Sequence, residues 1–102
     1  MLITNKDIEE IKKKCELYKV KNLFLFGSAA TDNYLKNSDI DLLVDFDEII
    51  PENYFEFYFN LKDFLTEYFG RDIDLLESRA LKNPYLIEEI NNNKILIYGK
   101  AN

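Results

Sequence analysis

Four short apolar runs alternate with segments that repeat apolar residues at helical spacing, and this alternation limits the fold more than any other feature. The runs predict strands at Val20–Phe26, Ile40–Phe46, Arg71–Glu77 and Lys94–Tyr98. The remaining segments predict helices at about Asn5–Tyr18, Ala29–Leu35, Pro51–Phe69 and Pro84–Asn91. The predicted order αβαβαβαβ is that of a small α/β domain with helices packed against its sheet. The pattern leaves open whether the sheet is parallel or mixed.

The predicted helix Pro51–Phe69 carries more aromatic residues than one buried face needs. Its main apolar face repeats at helical spacing and is predicted to be core: Tyr54, Phe57, Tyr58, Leu61, Phe64, Leu65 and Tyr68. Phe55, Phe59 and Phe69 fall outside this face, where they either make a second core contact or form a surface for a partner or a second copy. A domain this small has little second core, so we predict the surface role for Phe55 and Phe59.

The length and composition predict one globular domain. The chain has 102 residues, of which 47% are apolar and 31% charged, so we expect a single domain spanning residues 1–102. No apolar stretch approaches the roughly 20 residues that cross a bilayer. The amphipathic N-terminus contains acidic residues, unlike a signal or transit peptide, and the single Cys15 makes no internal disulfide. We therefore expect a cytoplasmic protein with no membrane partner.

Charge and the absence of histidine narrow the classes of function. Thirteen basic and nineteen acidic residues give a net charge of −6, which makes free nucleic acid an unfavourable main partner. Without histidine, the chain has no Ser-His-Asp triad, no Cys-His pair and no ordinary zinc site. Any catalysis must therefore use carboxylates, hydroxyls, lysines, arginines or a bound metal ion.

Two Asp-x-Asp pairs are candidates for a metal site. Asp39 and Asp41 are two residues apart on a predicted strand, so their side chains share a face, and Asp72 and Asp74 repeat this arrangement. If the strands are neighbours, up to four carboxylates lie together, which is unfavourable unless cations neutralise them. Mg²⁺ takes such oxygen ligands together with substrate phosphates, and a pair of ions suits in-line displacement at phosphorus. Taken alone, each pair is more often a solvated strand end.

The turn Gly27–Ser28 is a candidate phosphate-binding segment. It follows an apolar strand and precedes a predicted helix, so it offers backbone N–H groups and a hydroxyl. Glycine also lets the backbone approach a phosphate closely. A Gly-Ser pair after a strand is usually only a turn, but its combination with the aspartates indicates metal-dependent phosphoryl or nucleotidyl chemistry.

At these residues the chain resembles the minimal nucleotidyltransferase (MNT) family of the DNA polymerase beta superfamily. The resemblance is carried by Gly27–Ser28, ten intervening residues, Asp39–Asp41 and the downstream Asp74, and it extends over about Val20–Gly99. It implies a small nucleotidyltransferase fold of the α/β (α+β) class with a mixed sheet. It also implies an enzyme that transfers a nucleoside monophosphate, most often AMP from ATP, to a hydroxyl with release of pyrophosphate.

The same resemblance implies a role for each matching residue. Gly27 and Ser28 would bind the nucleotide phosphates, and Asp39 and Asp41 would ligate two Mg²⁺ ions. Asp74 would be the third catalytic carboxylate, bridging a metal ion and activating the acceptor hydroxyl. These assignments make ATP the expected substrate and Mg²⁺ the expected cofactor.

Two positions depart from the family pattern, which usually continues as Gly-Ser-x-Ala-Arg-Gly. Ala30 keeps the alanine, but Thr31 and Asp32 replace the arginine and the glycine. An arginine there would place a cation near the triphosphate, whereas Asp32 adds an anion if it faces the site. Asp72 precedes the position that matches the family and is expected to be a neighbour of the site, not a ligand.

The resemblance implies a protein partner, since MNT proteins are commonly paired with an adjacently encoded HEPN ribonuclease toxin. The first hypothesis is an antitoxin that adenylylates a tyrosine of that toxin. The alternative is a non-catalytic antitoxin that neutralises its toxin by contact, and a homodimer or hetero-oligomer is open in either case. An antibiotic nucleotidyltransferase subunit would lack a domain to hold the drug, and size and charge argue against a template-directed polymerase.

Overall fold

A four-stranded sheet forms the centre of the structure, and helices pack against both of its faces. The computed structural model describes residues 2–31, 39–47 and 51–99, apart from the side chain of Pro51. The strands are β1 (Val20–Phe26), β2 (Ile40–Phe46), β3 (Ile73–Glu77) and β4 (Ile95–Tyr98). The helices are α1 (Asn5–Leu17), α2 (Pro51–Phe69) and α3 (Pro84–Asn93), with short 3-10 turns at Ser28–Ala30 and Ser78–Ala80.

The sheet is mixed, with the strand order β3-β2-β1-β4. Strand β1 runs antiparallel to both β2 and β4, whereas β2 and β3 are parallel. The predicted α/β class and the mixed sheet that the family resemblance implied are therefore confirmed. The predicted bounds of β1 and β2 are correct, while β3 and β4 begin at Ile73 and Ile95, later than predicted.

Each face of the sheet has its own apolar cluster. On one face, Ile11 and Cys15 of α1 and Leu61 and Leu65 of α2 pack in the main core, and all four are fully buried. On the other face, Ile90 of α3 packs against Phe24 of β1 and Leu43 of β2. The second cluster holds α3 on the face of the sheet to which the odd-numbered residues of β2 point.

The helix ends follow from local hydrogen bonds. At the start of α1, the Thr4 side chain accepts from the Asp7 backbone N–H while the Asp7 carboxylate accepts from the Thr4 N–H, which is a complete capping box. At the start of α3, the Asn83 side chain accepts from the N–H groups of Tyr85 and Leu86. Helix α2 has the predicted bounds, α1 ends one residue earlier and α3 extends two residues further than predicted.

The helix predicted at Ala29–Leu35 is wrong in its described part. The chain instead forms a single 3-10 turn over Ser28–Ala30, and Thr31 returns to an extended conformation. The Thr31 hydroxyl and backbone N–H both donate to the Ser28 carbonyl oxygen, which closes the turn locally in place of a helix. The remainder of the predicted helix lies outside the described residues.

The aromatic side chains of α2 divide largely as predicted. Most of the main apolar face packs on the core, and the Tyr68 hydroxyl donates to Asp7 of α1. Phe69 also packs against the core, which is one of the two alternatives that the sequence left open for it. Phe55 and Phe59 are 67% and 51% exposed and stack on each other. Their exposure agrees with the predicted surface, and their role as an interface stays a prediction.

None of the helices in the described part of the chain is long and apolar enough to cross a membrane.

Candidate active site

Three chain segments meet at one end of the sheet, and each brings one part of the predicted site. In the antiparallel pair, Phe26 at the end of β1 lies opposite Asp41 near the start of β2. In the parallel pair, Asp41 lies opposite Asp74 near the start of β3. The turn Gly27–Ser28 directly follows Phe26. The topology therefore places the Gly-Ser turn and the carboxylates of β2 and β3 side by side, so the two strands are neighbours, the condition on which the sequence prediction depended.

Asp39, Asp41 and Asp74 form an interacting set of carboxylates. Asp41 is half-buried between Ile40 and Leu42, which point into the main core, whereas Asp39 and Asp74 are exposed. The pKa of Asp41 is raised above its ordinary value by burial first, then by the negative charges of Asp74 and Asp39. Asp41 thus lies close enough to both Asp74 and Asp39 to feel their negative charges, and a bound cation would relieve this repulsion.

Asp72 lies just before β3, and its side chain is exposed. Its backbone carbonyl oxygen accepts a hydrogen bond from the N–H of Ile40, which joins the start of β2 to the chain entering β3. The charges that raise the pKa of Asp41 come from Asp74 and Asp39. Asp72 thus borders these carboxylates through its backbone, and its expected role as a neighbour of the site, not a ligand, stays a prediction.

Gly27 packs directly against the carboxylate set. Its φ of +70° and ψ of −159° lie in a region that only glycine adopts without strain. A β-carbon at Gly27 would also overlap the carboxylate of Asp41. Ser28 follows as an exposed residue at the start of the 3-10 turn. The backbone of the turn therefore lies in contact with the carboxylate of Asp41, and any larger residue in place of Gly27 would displace one of the two.

The carboxylate set fits Mg²⁺ in its chemistry. Carboxylate oxygens are the hard donors that this ion prefers. The pKa of Asp41 is raised first by burial and then by the neighbouring carboxylates, and a divalent cation would offset that second effect. Across residues 2–31, 39–47 and 51–99, no three or more His, Cys, Asp or Glu side chains are arranged to hold a metal ion. Three neighbouring side chains have the chemistry to hold a metal ion: Asp39, Asp41 and Asp74. Their oxygen atoms are not arranged around one common point as metal ligands would be.

A pocket of about 490 Å³ adjoins Asp41, and α3 forms its far wall. Its lining on the side of the sheet and turn consists of Phe26, Gly27, Ser28, Thr31 and Asp41. Its lining on the side of α3 consists of Leu86, Glu89, Ile90 and Asn93. The volume falls within the range of roughly 300–1,000 Å³ that is typical of small-molecule sites. Thr31, one of the two departures from the family pattern, thus lies in the pocket, while Asp32 lies outside the described residues.

The contribution of α3 was missed by the sequence analysis. The sequence predicted only a helix over Pro84–Asn91 here, and Glu89 and Asn93 belong to no recognisable motif. The four lining residues of α3 follow the spacing i, i+3, i+4 and i+7, which places them on one face of a helix. This spacing was the available signal, but it does not show that the face lines a pocket.

The family of the chain follows from comparison with known proteins. Residues 9–102 match the family model described as polymerase beta, nucleotidyltransferase. The chain therefore belongs to the polymerase beta nucleotidyltransferase family and is a nucleotidyltransferase.

Relatives of known sequence cover nearly the whole chain. The candidate protein adenylyltransferase MJ0128 of Methanocaldococcus jannaschii is 40% identical over 94 residues, which are 90% of this chain and 93% of the relative. The protein adenylyltransferase MntA of Thermococcus cleftensis is 31% identical over 87 residues, covering 80% and 85% of the two chains. The similarity thus extends over most of each relative and is not confined to a shared motif.

Solved structures agree with the fold. A candidate minimal nucleotidyltransferase superposes with a TM-score of 0.73 at 28% identity, and the match covers 88% of each chain. A chain of a toxin–antitoxin complex crystallised with AMP-PNP superposes with a TM-score of 0.72 at 22% identity. That match covers 92% of this chain and 74% of the other, and at this identity it shows the fold alone.

Proposed function

We propose that the chain transfers AMP from ATP to a hydroxyl group of a partner protein. The observation that carries the proposal is the meeting of Gly27–Ser28 with Asp39, Asp41 and Asp74 at one end of the sheet. These are the residues that a nucleotidyltransferase needs, and the chain belongs to that family. Relatives named protein adenylyltransferases support a protein as the acceptor.

The proposed roles follow from position and charge. The Gly27 backbone and the Ser28 hydroxyl bind the phosphates, because this exposed turn forms one side of the pocket. Asp39, Asp41 and Asp74 would hold the two Mg²⁺ ions. When bound, the ions supply positive charge that offsets the negative charge of the phosphates and of the three carboxylates.

Asp74 is proposed to act on the acceptor. Its carboxylate is exposed at the edge of the sheet, so an incoming hydroxyl can reach it. The hydroxyl oxygen forms a bond to the α-phosphorus as the bond from that phosphorus to the pyrophosphate oxygen breaks, and Asp74 accepts the hydroxyl proton. The products are the adenylylated acceptor and pyrophosphate.

The proposed acceptor is a tyrosine of a HEPN-type toxin, encoded adjacently, for which this chain serves as antitoxin. Structural neighbours support this pairing. One is a chain of an MntA–HepT toxin–antitoxin complex. Another is a chain of the complex between a tri-AMPylated HEPN toxin of Shewanella oneidensis and an MNT antitoxin. The net charge of −6 suits a basic partner surface. The lone Cys15 is compatible with a cytoplasmic location, which stays our prediction.

A second candidate function is that of a non-catalytic antitoxin that neutralises its toxin by contact. The observation that favours it is Thr31, which lines the pocket at the position where the family usually has arginine. The pocket therefore lacks the cation that this arginine would place near the triphosphate. Weak nucleotide binding would leave contact as the means of neutralisation.

Intact mass spectrometry of the adjacently encoded protein tests the proposal, after incubation with this chain, ATP and Mg²⁺. The disabled variant is Asp39→Ala/Asp41→Ala, and the matched control is Asp47→Ala, which removes an exposed carboxylate just after β2. We expect a gain of one or more AMP units with the wild type and the control but not with the disabled variant. A stable complex without any gain of mass would support the contact antitoxin. If the two proteins form no complex and no mass is gained, both proposed functions are contradicted.

A further inference from the structure

The α3 wall of the pocket has a chemistry of its own. Leu86 and Ile90 give it an apolar strip, and Phe26 of β1 lies in the same pocket. Glu89 and Asn93, one turn apart on the same helix face, add a carboxylate and an amide. The proposed phosphate and metal groups come from the sheet side of the pocket. With the phosphates and metal ions on the sheet side, α3 faces the remaining parts of the nucleotide, which are the ribose and the base.

Charge decides which part of the nucleotide can face Glu89. A carboxylate repels a triphosphate unless a cation lies between them. The proposed cations lie at Asp39, Asp41 and Asp74, so the phosphates are placed toward the Gly27–Ser28 turn and away from Glu89. Glu89 must then face a neutral part of the ligand that donates hydrogen bonds. A nucleoside has such a part in its ribose, which carries two adjacent hydroxyl groups.

Asn93 is oriented to act with Glu89 as an acceptor. Its side-chain Nδ2 donates to the backbone carbonyl oxygen of Glu89 at 2.9 Å, which directs the amide and leaves Oδ1 as the acceptor atom. The wall itself is fixed, because Asn83 caps α3, Pro84 stands at its first turn and the buried Ile90 anchors it to the sheet. Two acceptors on a rigid helix face match two hydroxyl donors of a ribose.

We infer that Glu89 and Asn93 bind the 2′- and 3′-hydroxyls of the nucleotide ribose, and that this site selects ribonucleotides over 2′-deoxyribonucleotides. Leu86, Ile90 and Phe26 provide apolar contact to the base, which any base can make, so selection by the base is weaker than selection by the sugar. The inference rests on the proposed function for the placement of the phosphates. It adds specificity-determining residues on α3 to the residues of the carboxylate end.

The test compares ATP with 2′-deoxy-ATP, both for AMP transfer to the partner and for equilibrium binding to the isolated chain by calorimetry with Mg²⁺. The variants are Glu89→Ala and Asn93→Ala. The matched control is Glu88→Ala, which removes the neighbouring exposed carboxylate outside the pocket lining. We expect the wild type and the control to prefer ATP by about tenfold or more, and the two variants to lose most of this preference.

The outcomes separate this inference from the proposed function. AMP transfer that uses ATP and 2′-deoxy-ATP equally well would overturn the ribose assignment and leave the transferase function intact. A preference for ATP that survives both Glu89→Ala and Asn93→Ala would do the same. Binding that discriminates between the sugars without any AMP transfer would support the ribose site and contradict the catalytic proposal. A wild-type chain that binds neither nucleotide would overturn the ribose site.

Discussion

The α-carbon of Gly27 lies against the carboxylate of Asp41, with no room for a β-carbon between them. This contact joins the end of β1 to the start of β2 at the position where the proposed phosphate turn and the proposed metal ligands meet. The geometry of the turn and that of the carboxylates are therefore coupled, and a change in one displaces the other.

Gly27→Ala should disable the site and destabilise the fold. The added methyl group overlaps Asp41, and the positive φ strains any residue other than glycine. We expect a loss of about 1–3 kcal/mol in the free energy of unfolding and a loss of ATP binding measured by calorimetry. Gly70→Ala is a matched control, since Gly70 also has a positive φ but nothing lies within 4 Å of the added carbon. Equal effects on ATP binding in both variants would contradict a specific contact with Asp41.

Asp41→Asn should stabilise the chain when Mg²⁺ is absent. Burial and the charges of Asp74 and Asp39 raise the pKa of Asp41, so ionisation of this group costs the folded state free energy. The folded state binds the proton more tightly than the unfolded state does. Stability is therefore lost as the pH rises from about the ordinary value of 3.8 through the raised pKa. Asp41→Asn has no carboxyl to ionise at this position, so its stability does not fall over this pH range for this reason.

We expect thermal denaturation at neutral pH to show Asp41→Asn melting about 2–4 °C above the wild type. Adding Mg²⁺ should raise the melting temperature of the wild type more than that of the variant. Asp47→Asn serves as a comparison that changes the same charge away from the carboxylate set. An Asp41→Asn protein that melts below the wild type without Mg²⁺ would show that the carboxylates do not repel one another in the fold.

Phe55→Ser/Phe59→Ser should weaken association and leave folding intact. Both rings are largely exposed and contact each other, so their loss is expected to change the free energy of unfolding by less than about 1 kcal/mol. Leu61→Ala, at a fully buried position of the same helix, should cost about 2–5 kcal/mol. Light scattering after size-exclusion chromatography, alone and with the adjacently encoded protein, measures association. Unchanged assembly by the double variant would exclude this pair from the interface.

The Cys15 thiol should not react in the folded protein. It is fully buried, and burial, with a smaller effect from Glu16, raises its pKa to about 12. Labelling with a thiol-specific disulfide reagent at pH 8 should therefore be slow under native conditions and complete in denaturant. Because the unfolded thiol ionises near pH 9.0, the stability that this group contributes is present below that pH and is lost as the pH rises toward 12. Rapid native labelling would contradict its burial.

The strands and the carboxylate end of the site could be predicted from sequence because each rests on a short-range rule. The apolar run of β1 ends at Gly27, and that of β2 begins after Asp39. Because side chains alternate along a strand, Asp39 and Asp41 lie on one face. The prediction that β2 and β3 are neighbours was only conditional, since strand pairing depends on the whole chain.

The remaining features depend on hydrogen bonds and packing that the spacing of apolar residues does not specify. In its described part, the helix predicted from Ala29 is instead a 3-10 turn, in which Thr31 donates to the Ser28 carbonyl oxygen. The pocket wall formed by Glu89 and Asn93 exists only because Ile90 fixes α3 on the sheet, a packing that the sequence of α3 alone does not specify. Sequence therefore predicted the chemical groups of the carboxylate end, whereas the position of the opposite wall needed the fold.

The outermost position of β3 in the sheet bears on the size of the acceptor in the proposed reaction. β3 is an edge strand that pairs only with β2 within the described chain, and it carries Asp74. In the proposed reaction, an acceptor hydroxyl can therefore approach Asp74 from beside the sheet, without passing over the pocket proposed to hold the nucleotide. A side chain on the surface of a folded macromolecule meets this steric requirement as well as a small molecule does. Within the described residues no further strand pairs with this edge, so a bound macromolecule that covers it would both present its hydroxyl and keep the edge from pairing with another copy.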